Sequence, residues 1–416
     1  MRKESLVDPS IGKRNYILFT IAIFGSFAIF GISDNIKGTA LPRIQTEFLL
    51  TELHLGLLLA ISSIGYLAAC SFTAAMAKRI GIRTCLIIGL VIIASSGILI
   101  FSSASFFALV LGFFILNVGF GMLEIAVGVI AATIFTRKTG TMMNLAHFFF
   151  GAGATLSPIL STSLMTARFG DQLFGWRYVY IIILSFAILP AIPVVFGRLR
   201  KQERDKSSTG YAIMLKNPVL WLLVFILSFT LVCELGIAAW FVLFLEASYS
   251  FSTESAAFHL TLYFLCFTLG RLVLGPVIDR IGFINSLAFS TVLAGIMVIV
   301  GVLSGRTGVT VIVFAGAVVA PVFPTVMAVI AKLFADRIEH AMTAIMTTIG
   351  IIIVPSNLIV GVIINQIRLV LSDIYGDDGI RLAYSAGFLF LGLCCFGAFA
   401  FAMILRKRQK RAGMLV

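Results

Sequence analysis

Ionisable side chains inside long apolar runs are the strongest chemical signal in this sequence. They are Asp34, Lys37, Glu124, Glu234 and Arg271. If those runs cross a membrane, one charge at the centre of a helix costs about 2.5–3.5 kcal/mol, so such a group usually faces a cavity or a partner. Groups of this kind hold counter-charges, contact polar solutes or relay protons. The sequence therefore predicts a site for ions or polar solutes at membrane depth.

Asp34 and Lys37 are three residues apart, so their side chains can meet across one helical turn. One interpretation is a neutralised ion pair with a structural role. The other is that Lys37 keeps Asp34 charged until a substrate or a proton intervenes. The spacing predicts the contact and leaves both roles open.

Glu124 has no basic neighbour within one turn of its own helix. Burial of a carboxyl without a counter-charge favours its neutral, protonated form. Such a group can load a proton on one side and release it on the other, and a membrane potential of 100 mV contributes about 2.3 kcal/mol per charge moved. We expect Glu124 to carry a proton; the alternative is a hydrogen bond to polar atoms of the first helix.

Amide and imidazole side chains indicate where a neutral solute could bind. Asn144 and His147 share one face of a helix, and Asn35 and Asn117 could join them. These groups donate and accept hydrogen bonds, as the hydroxyls of a sugar require. The alternative is that they only join neighbouring helices by hydrogen bonds.

Three residues of the second half could line the same site, namely Glu234, Trp240 and Tyr263. An aromatic ring stacks well on the apolar face of a sugar ring, but Trp and Tyr near span ends are also common interface anchors. Arg271 lies two turns before Asp279, so we expect it to act in gating; direct contact with the substrate is the alternative.

The composition indicates what positions these residues. Of 416 residues, 60% are hydrophobic and only 12% are charged, about half the charged fraction of a soluble protein. The apolar runs are long enough to cross a membrane. They predict an all-α integral membrane protein with twelve transmembrane helices, near 15–37, 53–76, 84–102, 105–134, 141–167, 174–197, 218–247, 254–277, 286–304, 308–333, 341–366 and 380–405.

A charged stretch divides these helices into two sets of six. It gives an N-terminal six-helix bundle over 1–197, a cytoplasmic linker over 198–217 and a C-terminal six-helix bundle over 218–416. The loops on the side of the termini and the linker hold 23 Lys and Arg residues, against six on the other side. This imbalance predicts that both termini are cytoplasmic and accounts for the net charge of +13.

An internal repeat supports the division. AAMAKRIGIR (74–83) matches GPVIDRIGFI (275–284) at an offset of 201 residues, and VGVIAATIF (127–135) matches VMAVIAKLF (326–334) at an offset of 199. Parallel repeats of six helices are a known transporter plan, with the substrate site near mid-membrane at the repeat interface. We therefore expect two pseudo-symmetric bundles.

The segment GRLVLGPVIDRIG (270–282) resembles the signature G-x-x-x-D-R-x-G of the major facilitator superfamily. The second copy has Gly275, Asp279, Arg280 and Gly282, and the first copy keeps Arg79, Gly81 and Arg83. The resemblance covers the whole chain and implies the major facilitator fold, a gating latch at Arg79, Arg83, Asp279 and Arg280, and a monomer.

Three stretches resemble the fucose–galactose–glucose:proton symporter group within that superfamily. They are GFGMLEIAVGVIAATI (119–134), NLAHFFFGAGA (144–154) and DNIKGTALPRIQTEF (34–48). The resemblance implies proton-linked carboxylates on the first and fourth helices. Glu124 occupies the fourth-helix position, whereas Asp34 lies one turn before the expected first-helix position, which is Gly38. His147 stands where the group usually has glutamine.

Several function classes lack their motifs. The six cysteines lie in apolar segments without CxxC or Cys/His ligand spacing, so we expect no metal and no cofactor. The basic residues form no zinc finger or RNA-binding motif, which argues against nucleic acid as a partner. Because GxSxG, HExxH and P-loop motifs are missing, we expect neither an enzyme nor an ATP-driven pump.

We therefore expect a secondary active transporter of a bacterial inner membrane, a proton-coupled symporter of a neutral sugar or similar small polar solute. A drug or metabolite exporter is one alternative, although GAGATLSPIL (151–160) fits the exporter motif G-x-x-x-G-P-x-x-G-G poorly. An organic-anion carrier is another. It would bind the substrate charge through Lys37 and Arg271, which requires Lys37 to be free of Asp34. Composition leaves a channel or a scaffold open as well.

Overall fold

The computed structural model describes residues 12–136, 139–199, 214–334 and 338–411. This part of the chain is helical apart from one two-residue β-hairpin and short connections, which confirms the all-α expectation. Within these residues, twelve helices or helix pairs are long and apolar enough to cross a membrane. The chain is therefore a multi-pass membrane protein with the predicted number of spans.

The first six spans are built from seven helices and the β-hairpin. They are α1 (Lys13–Phe48), α2 (Glu52–Ile80), α3 (Ile82–Phe101), α4 (Phe106–Ile134), α5 (Thr139–Thr166), β1 (Arg168–Phe169), β2 (Gln172–Leu173), α6 (Gly175–Ser185) and α7 (Ile188–Phe196). The strands are antiparallel and pair Arg168 with Leu173. The hairpin leads into α6, the first part of the sixth span.

The last six spans contain eight α-helices and one turn of 3₁₀-helix. They are α8 (Pro218–Tyr249), α9 (Thr253–Val273), α10 (Gly275–Ile281), α11 (Phe283–Leu303), a 3₁₀ turn (Gly305–Gly308), α12 (Val309–Val319), α13 (Val322–Leu333), α14 (Ile338–Tyr375) and α15 (Asp377–Arg411). Asn217 caps α8 by accepting a hydrogen bond from the Val219 amide at 2.9 Å, with Pro218 in the first turn.

Contacts divide the chain into two compact units. The first comprises Met1–Ile44 and Ile61–Arg204, and the second comprises Gln45–Ala60 and Asp205–Val416. In the first unit α3 packs on α4 and α6, and in the second α15 packs on α8, α11 and α14. The predicted boundaries at 197 and 218 stay a prediction, because the division by contacts also moves the start of α2 into the second unit.

The first helix is longer than the sequence predicts. The predicted end lies near residue 37, but α1 continues through Pro42 to Phe48. The apolar run ends before the helix does, and the paired Asp34 and Lys37 lie within the helix. At 1.5 Å per residue a helix of 36 residues is about 54 Å long, so α1 exceeds the roughly 30 Å of a hydrocarbon core.

Three predicted spans are interrupted. The sixth breaks between α6 and α7, the eighth at Leu274 and the tenth at Ala320 and Pro321. Proline has no backbone N–H, so it frees the carbonyl four residues earlier and weakens the helix there. Pro321 and Pro324 place two such losses in succession in the tenth span.

Candidate functional site

The structure brings Asp34, Lys37, Tyr66, Cys70 and Glu124 into one group in the first unit, which we call the first-unit cluster. Lys37 Nζ donates a hydrogen bond to Asp34 Oδ1 at 2.6 Å, and the two side chains are 21% and 18% exposed. The predicted contact between Asp34 and Lys37 is therefore present. Asp34 also interacts electrostatically with Glu124, so α1 and α4 contribute to the same site.

Glu124 is half-buried, and Tyr66 of α2 is its hydrogen-bond partner. The Tyr66 hydroxyl donates to Glu124 Oε2. One turn further along α2, the Cys70 thiol points to the Gly121 carbonyl oxygen of α4 at 3.8 Å. Glu124 is thus matched with a neutral phenol, which donates a hydrogen bond without adding a charge.

Close backbone approach of α2 and α4 fixes this geometry. A Cβ atom built on Gly121 would lie 2.5 Å from the Tyr66 carbonyl oxygen, and one built on Gly65 would lie 2.6 Å from the Phe114 carbonyl oxygen. Only glycine fits at such a crossing. The positions of Tyr66 and Glu124 relative to each other therefore depend on backbone contact rather than on long flexible side chains.

The predicted amide and imidazole groups make other contacts. The side-chain amides of Asn35 and Asn117 donate to the carbonyls of Gly31 and Phe113 on their own helices, at 2.8 and 2.9 Å. On α5, Asn144 is exposed, and the half-buried His147 packs its ring 5.0 Å from that of Phe27. A role for these four residues in binding substrate stays a prediction.

The second unit contains its own polar group, formed by Glu234, Tyr263 and Arg271, which we call the second-unit cluster. The Glu234 carboxyl interacts electrostatically with Arg271 and with Tyr263. Tyr263 and Trp240 are fully buried, and neither the Tyr263 hydroxyl nor Trp240 Nε1 has a hydrogen-bond partner among the described residues. A buried polar atom of this kind costs free energy until something hydrogen-bonds to it.

Arg271 supports the break in the tenth span. The Ala320 carbonyl would accept from the amide of residue 324 in a regular helix, but residue 324 is proline. Arg271 Nε donates to that carbonyl at 3.2 Å, and its guanidinium lies 4.5 Å from the centre of the Phe267 ring. The side chain therefore supplies the hydrogen bond that Pro324 cannot.

The four remaining gating candidates occupy helix ends. Arg83 donates from Nε and Nη2 to the Val194 and Val195 carbonyls in the last turn of α7, at 2.8 and 2.5 Å. A cation at a helix C-terminus satisfies free carbonyls and complements the helix dipole. Arg79 and Arg280 are exposed, and the side chain of Asp279 lies outside the described residues. The gating latch stays a prediction.

Two contacts between distant parts of the chain escaped the reasoning from sequence. Tyr66 stands at the middle of α2, whereas a tyrosine that anchors a span at the interface lies near its end. That position is the signal that could have identified it.

Glu52 opens α2 and is 1% exposed, yet it accepts hydrogen bonds from Arg368 at 2.5 Å, Tyr384 at 3.1 Å and Gln45 at 3.1 Å. All four residues of this Glu52 clamp belong to the second unit.

Comparison with known proteins gives one family match and two curated relatives. The family profile described as Major Facilitator Superfamily matches residues 23–356. "Bypass of stop codon protein 6" of Saccharomyces cerevisiae is 22% identical over 63% of this chain and 57% of its own length. "Solute carrier family 2, facilitated glucose transporter member 10" of Danio rerio is 24% identical over 42% of this chain and 33% of its own. The chain thus spans little more than half of the first relative and a third of the second.

Solved structures share the fold at low sequence identity. The fucose:proton symporter FucP of E. coli matches with a TM-score of 0.64 and 18% identity, over 94% of this chain and 99% of that one. A bacterial homologue of the human lysosomal transporter Spinster matches with 0.77 and 14%, over 95% and 98%. The nucleoside transporter NupG matches with 0.74 and 14%, over 94% and 99%.

Proposed function

Because this chain belongs to the Major Facilitator Superfamily, which makes it a membrane transporter, we propose that it is a proton-coupled symporter of a neutral, hydroxyl-bearing solute such as a sugar. It works by alternating access in a bacterial inner membrane, as a monomer with both termini in the cytoplasm. Glu124 carries the proton, and hydrogen-bonding side chains at membrane depth bind the solute.

The observation that carries this proposal is the partner of Glu124. A carboxylate held by a cation keeps its negative charge, because protonation would leave the cation uncompensated. Glu124 is held by the neutral hydroxyl of Tyr66 instead. It can gain and lose a proton without stranding a fixed positive charge, which is what a carrier requires.

The pairing of the other charges favours a neutral solute. An organic-anion carrier needs Lys37 to be free, but Lys37 is bound to Asp34 at 2.6 Å. Arg271 donates to Ala320 and interacts with Glu234. Because Lys37 and Arg271 already have partners, we expect the solute to be recognised by hydrogen bonds rather than by charge attraction.

Hydroxyl-bearing solutes also fit the chemistry of the second unit and the names of similar proteins. The Tyr263 hydroxyl and Trp240 Nε1 are fully buried and have no partner among the described residues, so both can donate to a hydroxyl once a conformational change exposes them. Fucose and a nucleoside are the named substrates of two structures with this fold, and a relative is named for glucose. All three are neutral and carry several hydroxyls.

Uptake by proteoliposomes tests the proposal. We expect an inward proton gradient to drive accumulation of a radiolabelled hexose, and Glu124→Gln to abolish accumulation while exchange of labelled for unlabelled hexose continues. Glutamine keeps the size of the side chain and removes the proton site. Glu254→Gln, an exposed site in the first turn of α9, is the matched control.

A wild type that neither accumulates nor exchanges hexoses or nucleosides, but expels a lipophilic cation under the same gradient, would identify an exporter. Accumulation that survives in Glu124→Gln would instead remove Glu124 from the coupling mechanism.

A further inference from the structure

We propose that Tyr66 is the positioning residue of the proton site: its hydroxyl holds the Glu124 carboxylate in place and stabilises it after the proton has left. This inference rests on the proposed proton-carrying role of Glu124 and names the residue that controls it. The geometry is the contact from the Tyr66 hydroxyl to Glu124 Oε2, set by the glycine crossing of α2 and α4.

The internal repeat shows which contacts at this crossing belong to the shared scaffold. At the repeat offsets, Cys70 corresponds to Arg271 and Gly121 to Ala320. In the first unit the Cys70 thiol points to the Gly121 carbonyl, and in the second unit Arg271 donates to the Ala320 carbonyl. In each half, a side chain of one helix therefore contacts the equivalent backbone carbonyl of the neighbouring helix.

The side-chain pair one turn from these contacts, Tyr66 and Glu124, differs between the two halves. Tyr66 corresponds to Phe267 and Glu124 to Phe323, so two apolar rings stand in the second half where the first has a phenol and a carboxyl. The fold of a half is thus formed without this polar pair. Since a half-buried carboxyl is costly at membrane depth, its presence with a dedicated donor indicates a function confined to the first half.

Among the described groups around Glu124, Tyr66 is the one that donates a hydrogen bond directly to its carboxyl. From α2 the neighbours are Tyr66 and Cys70, and Cys70 points to the Gly121 carbonyl. From α1 the neighbour is Asp34, whose charge is held by Lys37. A negative Asp34 opposes a second negative charge nearby, so the ionised form of Glu124 depends on the hydrogen bond from Tyr66.

Tyr66→Phe removes that hydrogen bond and keeps the ring. We expect proton-driven uptake to slow about tenfold, because the carboxylate left after proton release has lost its donor, whereas hexose exchange, which needs no proton release, continues. The infrared carbonyl band assigned to Glu124 by its loss in Glu124→Gln should titrate with a midpoint displaced by about one pH unit, the equivalent of a tenfold change.

Two controls make the experiment specific to this contact. Tyr178→Phe removes a hydroxyl from a half-exposed tyrosine of α6 that contacts Phe101 and Phe174, and it should leave uptake and the infrared titration unchanged. Adding Tyr66→Phe to Glu124→Gln should not lower exchange further if Tyr66 acts only through Glu124.

An unchanged infrared midpoint in Tyr66→Phe would overturn the assignment of Tyr66, and so would equal loss of exchange and driven uptake. The infrared measurement needs no transport. A displaced midpoint in a protein that shows no proton-driven uptake would therefore support the contact while refuting the symport proposal.

Discussion

At the scale of single residues, a charge in a membrane span is informative only together with its partner. The spacing of Asp34 and Lys37 predicted their contact, and the structure has it. The partner of Glu124 comes from another helix, and a spacing rule for one helix cannot reach it. The Asp34 carboxyl thus has a cation as its partner and the Glu124 carboxyl a neutral hydroxyl, and the role of Asp34 in proton coupling stays a prediction.

The Asp34–Lys37 pair gives a testable result. Lys37→Met should lower the free energy of unfolding by about 3 kcal/mol, because it leaves a partly buried carboxylate without its counter-charge. The double variant Asp34→Asn with Lys37→Met should recover most of that loss, since no charge then remains. Thermal unfolding of both variants in one detergent measures the difference, and a double variant as unstable as the single one would contradict a simple ion pair.

At the scale of helices, a proline break is stabilised from the neighbouring helix. The two prolines of the tenth span were visible in the sequence, and so was Arg271 on the eighth. What the sequence could not show is that Arg271 Nε reaches the one carbonyl, that of Ala320, which Pro324 leaves free. We therefore assign Arg271 the hydrogen bond that satisfies the Ala320 carbonyl, and its role in gating stays a prediction.

Replacing Arg271 and Pro324 together tests this contact. Arg271→Leu should destabilise the protein by about 1–3 kcal/mol through the unsatisfied Ala320 carbonyl, in addition to any effect of leaving Glu234 alone. Pro324→Ala restores a backbone N–H to that carbonyl, so it should recover part of the loss in the Arg271→Leu background. Thermal melting measures the recovery. If Pro324→Ala brings no recovery there, the carbonyl is not what Arg271 supports.

Helix number and order followed from hydropathy, because each apolar run is long and bounded by polar residues. Helix ends followed less well. The predicted end of α1 near residue 37 lies eleven residues before Phe48, because hydropathy marks where an apolar run ends and not where the helix ends. Tyr66 was missed because its contact with Glu124 exists only through the crossing of α2 with α4, which hydropathy does not encode.

At the scale of the whole molecule, the start of α2 is bound to helices far along the chain. Glu52 contacts Arg368 of α14 and Tyr384 of α15, more than three hundred residues away in sequence. The segment Gln45–Ala60 accordingly belongs to the second unit, while the rest of α2 belongs to the first. Division of the sequence at the central charged stretch could not reveal this assignment.

The Glu52 clamp should contribute measurably to stability. Arg368→Gln leaves a carboxylate that is 1% exposed with two neutral donors; because the Arg368 side chain itself is 40% exposed, we expect a loss of about 2 kcal/mol, less than for a fully buried pair. Arg381→Gln is the matched control, because its ion pair with Asp378 joins side chains that are 49% and 67% exposed and such pairs contribute at most about 1 kcal/mol. Similar melting temperatures for the two variants would contradict the clamp.

The thiol at the crossing of α2 and α4 offers a chemical probe of the proposed proton site. Cys70 lies one turn from Tyr66 and, like Cys266, is half-buried, whereas Cys85, Cys233, Cys394 and Cys395 are buried. Alkylation of Cys70, located by mass spectrometry of digested protein, therefore reports when water-soluble reagents reach the wall of the site. The chain carries this reporter natively, so opening of the site can be followed in the unmodified sequence.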